Sequence, residues 1–265
     1  MPHADLTHLR LHYRLEGRED LPLLVLVHSL GTDLSLWNDV VPALTVRNRI
    51  LRCDLRGHGA SSVPSGPYTI ADLSHDLLEL LELLKVDQCN LCGLSIGGQV
   101  AMWLGVEAPQ RFHKLIMANT AARIGTVEGW NERIARVSAE GFDSLADEAM
   151  GRGFTALFRQ SSASRVAEMR DVLTATPREG YIGCCVALRD SDLTASLPLI
   201  GVPVLVISGT HDPVTTTAEG RAMAAAIMRA SYVELNAAHL SAVEQSGAFS
   251  AAVLAFLNGE GVRHG

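Results

Sequence analysis

The chain has 265 residues, of which 48% are apolar, 19% charged and 5% aromatic. That much apolar side chain can bury a sizeable core, which excludes a disordered tail, a collagen-like repeat or a small disulfide scaffold. Twenty-two Lys and Arg against 29 Asp and Glu leave a formal charge of −7, so a nucleic-acid partner is not expected.

At the start, Met1 to Arg14 carries His3, Asp5, His8, Arg10 and His12, which leaves no room for the apolar segment of a signal peptide. No apolar run reaches the roughly 18 residues that span a bilayer, and Leu21 to Val27 is interrupted by Pro22. The expectation is a cytoplasmic protein with no membrane partner. Leu23 to Val27, Ile50 to Cys53, Cys89 to Cys92, Leu115 to Ala118 and Val204 to Ser208 are short apolar runs alternating with helical patterns. This alternation predicts an α/β fold, with a mostly parallel central sheet and helices on both faces. Between the runs, Ile70 to Leu84 places Ile70, Leu73, Leu77, Leu80, Leu81 and Leu84 at helical spacing. Its Asp72, Asp76, Glu79 and Glu82 read as a solvated face without chemistry. From about Thr126 the alternation stops, and it returns only at Val202 to Ile207. Residues 126–189 are therefore expected to form a helical cap inserted into a core domain made of residues 1–125 and 190–265.

Five cysteines, Cys53, Cys89, Cys92, Cys184 and Cys185, make an odd count. Cys89-Asn90-Leu91-Cys92 matches C-x-x-C by spacing, but it is apolar and runs into Gly93 like the end of a strand, whereas a redox pair needs its first cysteine at a helix start. No second pair completes four ligands, so buried free thiols are expected and no metal.

Gly93-Leu94-Ser95-Ile96-Gly97-Gly98 stands between the strand-like Asn90 to Cys92 and the helix-like Gln99 to Glu107. G-x-S-x-G at a strand-to-helix turn puts a serine on a tight corner with its hydroxyl exposed to substrate. A serine hydroxyl needs a base, itself oriented by an acid, in the chain order Ser, acid, His. Four histidines follow Ser95: His113, His211, His239 and His264. His113 precedes a buried strand, His264 lies next to the terminus, and His211 comes before its neighbouring acid. His239, in a loop after the strand-like Tyr232 to Leu235, is the candidate base. Asp212 is the candidate acid, directly after the strand Val204 to Ser208, where the carboxyl end of a parallel sheet gathers functional loops. Asp190 and Asp192 are weaker alternatives in the helical insertion. The oxyanion formed on an attacked carbonyl needs backbone donors, and the Ile96 and Leu30 N–H groups are the candidates. His28 is expected to hold the loop around Leu30 in shape.

Asp54-Leu55-Arg56-Gly57-His58-Gly59-Ala60-Ser61 resembles the D-x-R-G-x-G-x-S turn of the α/β-hydrolase superfamily, and the elbow and ordered triad fit beside it. Within that superfamily the chain resembles the 3-oxoadipate enol-lactonases at His28 to Asp33, Gly93 to Gly98, Asn119 to Gly125 and Ala238 to Ser241. One departure is Gly153, standing where an aromatic residue is expected before Phe154. The resemblance implies the α/β-hydrolase fold and hydrolysis of a five-membered enol-lactone with an acetate arm, through an acyl-enzyme and without cofactor or metal. A general carboxylesterase acting on a neutral ester is the alternative, and a non-catalytic ligand-binding protein on the same fold a more distant one. A haloalkane dehalogenase would need a carboxylate at the position of Ser95. An anionic substrate requires a local cation in a −7 protein. Trp130 and Arg133, one helical turn apart, are the candidates for substrate binding, with Arg123 in reserve.

Overall fold

The computed structural model describes residues 2–259; His264 lies outside them. Eight strands form one sheet in the order β1-β2-β4-β3-β5-β6-β7-β8. They are β1 (His3–Asp5), β2 (Arg10–Glu16), β3 (Leu23–Val27), β4 (Arg49–Cys53), β5 (Cys89–Leu94), β6 (Phe112–Ala118), β7 (Val204–Gly209) and β8 (Ala230–Leu235). From β4 onward across the sheet every pairing is parallel, with Val25 of β3 registered between Leu51 and Leu91. Strands covered on both faces read as continuous apolar runs, as Leu24 to Val27 and Leu91 to Leu94 do.

The antiparallel strands β1 and β2 were not among the expected elements. Their signal is period 2: Leu11, Tyr13 and Leu15 alternate with Arg10, His12, Arg14 and Glu16, as at a half-exposed sheet edge.

Helices α1 (Val41–Leu44), α2 (Ile70–Leu83) and α3 (Ile96–Glu107) fill the crossovers of the first half. α2 starts with a reciprocal capping box between Thr69 and Asp72. The acidic face of α2 is not simply solvated. Asp76 is buried and holds the Arg56 guanidinium at 2.5 and 2.6 Å, and Glu79 accepts from the Thr7 backbone N–H at 2.5 Å. Helical spacing locates Asp76 on α2, but only the fold brings Arg56 against it.

Between β6 and β7 the described chain has helices and no strand: α4 (Val127–Glu140), α5 (Ala146–Gly153), α6 (Ala156–Ser161), α7 (Ala163–Ala175) and α8 (Arg178–Asp190). α8 meets the core where two glycines touch; a Cβ on Gly180 would stand 2.1 Å from the Gly57 carbonyl oxygen. α9 (Thr217–Ala226), α10 (Ser241–Glu244) and α11 (Ser246–Leu257) complete the fold. Among the described residues no helix is long and apolar enough to cross a membrane. All five cysteines are buried and free, and burial pushes the Cys89 thiol up to about 12.

Candidate active site

Ser95 sits between β5 and α3 with φ 59° and ψ −115°, a conformation that L-residues rarely adopt. Its N–H is tied to the Ala118 carbonyl at 2.9 Å, and its own carbonyl accepts from the Gly98 N–H at 2.9 Å and the Thr120 hydroxyl at 2.8 Å. The corner is this tight because α3 lies against β3: a Cβ on Gly97 would stand 2.3 Å from the Val27 carbonyl oxygen.

His239 lies in the loop between β8 and α10, with its Nδ1 2.8 Å from Asp212 Oδ2. Asp212 follows β7, is buried, and also accepts from the Thr215 hydroxyl at 2.8 Å and the Val214 and Thr215 N–H groups at 2.8 and 3.1 Å. Burial alone would raise the Asp212 carboxyl. The opposing charge and hydrogen bond of His239, with the donors from Asn119 and Thr215, outweigh it and hold the group down at about 2. Asn119, absent from the sequence-level candidates, donates from Nδ2 to Asp212 at 3.0 Å and to the Ala238 carbonyl at 3.2 Å, while its own Oδ1 accepts from the Ser241 hydroxyl. Its φ of 43° was a hidden cue: asparagine tolerates the left-handed region better than most residues. Asp190 and Asp192 stand apart from this cluster, paired with Arg189 and Arg123.

The loop after β3 is held by two buried histidines. His28 donates from Nδ1 to the Ser29 carbonyl at 2.8 Å and accepts the Leu55 N–H on Nε2 at 2.9 Å. His58 accepts the Gly31 N–H on Nε2 at 3.0 Å and bonds the Arg56 carbonyl through Nδ1 at 3.2 Å. Each imidazole is thus fixed in the neutral Nδ1–H tautomer. Burial lowers both below the ordinary histidine value, His58 to about 3. Among the described residues, the Leu30 N–H in this loop donates no hydrogen bond. Ile96 opens α3, and the N–H groups of a helix's first turn have no partner within the helix.

Ser95, His239 and Leu30 line one cavity, of about 610 Å³ including space open to solvent. Its far wall comes from α4, α5 and α8 and includes Trp130, Arg133, Arg152, Gly153 and Tyr181. Arg133 lies over the Trp130 ring, 5.1 Å from its centroid, and the indole Nε1 is anchored on the Ile124 carbonyl. Arg152 was missed at the sequence level. Burial and the neighbouring Arg133 charge lower its guanidinium from the usual arginine range despite Glu148 at 3.5 Å. Arg133 forms no ion pair among the described residues, and Tyr181 lines the cavity with it, its hydroxyl pushed up by burial to about 12. Two cations facing one partly dry space favour an anion between them. Arg123 belongs elsewhere. It is exposed, 3.5 Å from Asp192, and does not line the cavity. It precedes α4, so closeness in sequence to Trp130 did not carry it onto the helix face that looks inward.

A carboxylate-held imidazole that lines the same cavity as a serine hydroxyl is the arrangement that can accept that hydroxyl's proton as it attacks a carbonyl, and free N–H groups can receive the resulting oxyanion. Two 3-oxoadipate enol-lactonases of Acinetobacter baylyi are 40% and 36% identical to this chain, across 93% and 90% of it and 92% and 90% of their own lengths. The crystal structure of an enol-lactonase from Burkholderia xenovorans LB400 matches with a TM-score of 0.96 and 44% identity, covering 97% of this chain and 100% of that one. A family model described as the alpha/beta hydrolase fold matches residues 22–245, and with it the chain belongs to the α/β-hydrolase family.

Proposed function

We propose that this α/β hydrolase is a carboxylic ester hydrolase that opens 3-oxoadipate enol-lactone to 3-oxoadipate through an acyl-enzyme on Ser95. The observation that supports an anionic substrate most directly is the pair Arg133 and Arg152 in the cavity that also holds Ser95 and His239. Together they offer the substrate's acetate arm a bidentate cationic seat at the wall opposite the nucleophile. The 40% identity to an enol-lactonase supports the same substrate.

In this reading the Ser95 hydroxyl attacks the lactone carbonyl and His239 Nε2 takes its proton, while Asp212, bonded to Nδ1, stabilises the imidazolium. The Leu30 and Ile96 N–H groups receive the oxyanion. Collapse breaks the ring C–O bond and frees the ring oxygen as an enolate still tethered to the acyl chain. The His239 imidazolium returns its proton, the enol becomes the ketone, and the whole opened chain remains as an ester on Ser95. Water, deprotonated by His239, then cleaves that ester and restores the serine.

The test is the loss of enol-lactone ultraviolet absorbance on addition of the protein, beside a panel of small neutral esters. Lactone turnover that exceeds the neutral esters and disappears in Ser95→Ala is expected. Faster turnover of neutral esters would replace the lactonase reading with a general carboxylesterase, and no turnover of either would favour a ligand-binding protein.

A further inference from the structure

At the end of α5 the segment Arg152 to Thr155 runs directly against the His239 loop. The His239 N–H points to the Arg152 carbonyl at 3.4 Å, and the Leu240 N–H donates to the Gly153 carbonyl at 2.9 Å. One side chain braces the same junction from the outside. The Glu244 carboxylate, at the end of α10, accepts the Ala238 N–H at 2.9 Å on one side. On the other it accepts the Thr155 N–H at 3.3 Å and the Thr155 hydroxyl. Among the described residues Glu244 forms no ion pair, so its charge is answered by these donors alone, in the charge-assisted bonds that are stronger than neutral ones.

We propose that Glu244 is a positioning residue that locks the wall carrying Arg152 to the loop carrying His239, so that the seat for the substrate's carboxylate and the base stay at a fixed separation. The inference rests on the roles given above to Arg152 and His239. Its consequence is a division of labour within one carboxylate. The Thr155 arm holds the anion seat, and the Ala238 arm holds the residue next to the base. A carboxylate suits both, because every group aimed at it is a donor.

Kinetics of Glu244→Ala, Thr155→Val, Thr155→Ser and the Glu244→Ala/Thr155→Val double variant, on the enol-lactone and on phenyl acetate, test this, with melting temperature recorded beside each. Glu244→Ala should lower kcat on both substrates by about tenfold or more and raise KM for the lactone by roughly fivefold, with KM for phenyl acetate within about twofold. Thr155→Val, which leaves Ala238 tied, should raise only the lactone KM, and Thr155→Ser, which keeps the hydroxyl, should restore it. The double variant should be no worse than Glu244→Ala, because both act through one strut. Unchanged kcat and KM with a lowered melting temperature, or strictly additive losses, would overturn the proposal. Should Glu244→Ala fail to fold, the Val and Ser variants at Thr155 decide it by the same KM comparison. If the unmodified protein hydrolyses phenyl acetate and not the lactone, the lactonase reading falls. The kcat loss on phenyl acetate in Glu244→Ala then still upholds or refutes the strut on its own.

Discussion

Ser95 occupies its corner against the preference of its own backbone: φ 59° with ψ −115° suits glycine, and other residues there cost about 1–3 kcal/mol. Removing the hydroxyl and removing the strain are therefore separable experiments. Ser95→Ala and Ser95→Gly should both lose lactone turnover, yet the glycine variant should be the more stable of the two by about 1 kcal/mol, less than the full strain because glycine also loosens the unfolded chain. Equal stabilities in denaturant titrations would mean that the corner is not strained. Asp212 makes a second case. Asp212→Asn keeps the shape but loses the charge opposite His239 and turns a donor toward one of the donors that now converge on it. A loss in kcat on the order of 10³ to 10⁴, with the fold retained, is expected from the wrong imidazole tautomer. At the wall, Arg133→Met and Arg152→Met keep the apolar stem and remove the cation. Each should lower kcat/KM for the anionic lactone by roughly 10²-fold, about 3 kcal/mol, and leave phenyl acetate nearly unchanged. If the two substrates fall together in both variants, the pair does not seat the carboxylate.

The central strands were legible because Leu23 to Val27 and Val204 to Ser208 are apolar on both faces, and α2 because its leucines recur at helical spacing. Ser95, Asp212 and His239 were legible because each stands just beyond a strand's carboxyl end, in an order that the chain itself displays. Asn119, Arg152 and Glu244 were not, since their significance lies in what folds back onto them: the His239 loop, the Arg133 helix and the Thr155 turn. Arg123 shows the opposite case, a cation near the right residues in sequence that pairs with Asp192 at the surface and does not line the cavity. The same dependence on docking makes α8 testable as a unit. Gly180 meets Gly57 backbone to backbone, so a methyl there cannot be absorbed by a side-chain rotation. Gly180→Ala should lift α8, and with it Tyr181, away from the core. We expect a stability loss of about 1–3 kcal/mol and a raised KM for the lactone, with phenyl acetate turnover largely kept. Unchanged KM for the lactone would show that α8 does not shape the substrate end of the cavity.

Across the whole molecule, the donors at the mouth of the cavity depend on two imidazoles that must remain uncharged. His28 and His58 each donate with one nitrogen and accept with the other, so a proton added to either turns an acceptor into a donor facing an N–H, of Leu55 or Gly31. Burial accordingly lowers both, His58 to about 3. Above pH 7 the folded and unfolded chains both hold these rings neutral, and they leave stability unaffected. Below about 6.5, the ordinary histidine value, the unfolded chain binds protons that the folded one refuses. Stability then declines with falling pH by about 1.4 kcal/mol per unit for each refused proton, and for His58 the decline continues down to about pH 3. Asp212 adds to the loss only further down, between its unfolded value of 3.8 and about 2, because its carboxylate is favoured in the fold. Between pH 6 and 4.5 the slope therefore lies above the range in which the Asp212 contribution is lost, and comparing it with a variant at His58 separates that ring's share from the carboxylates. His58→Gln retains an acceptor for the Gly31 N–H and has no proton to take up. Denaturant titrations across that window should give the variant a slope shallower than that of the unmodified protein by about 1.4 kcal/mol per pH unit, whatever the variant's stability at pH 7.5. Parallel slopes would mean that His58 takes up its proton in the folded protein, and that the loop bearing Leu30 is held by something other than a neutral ring.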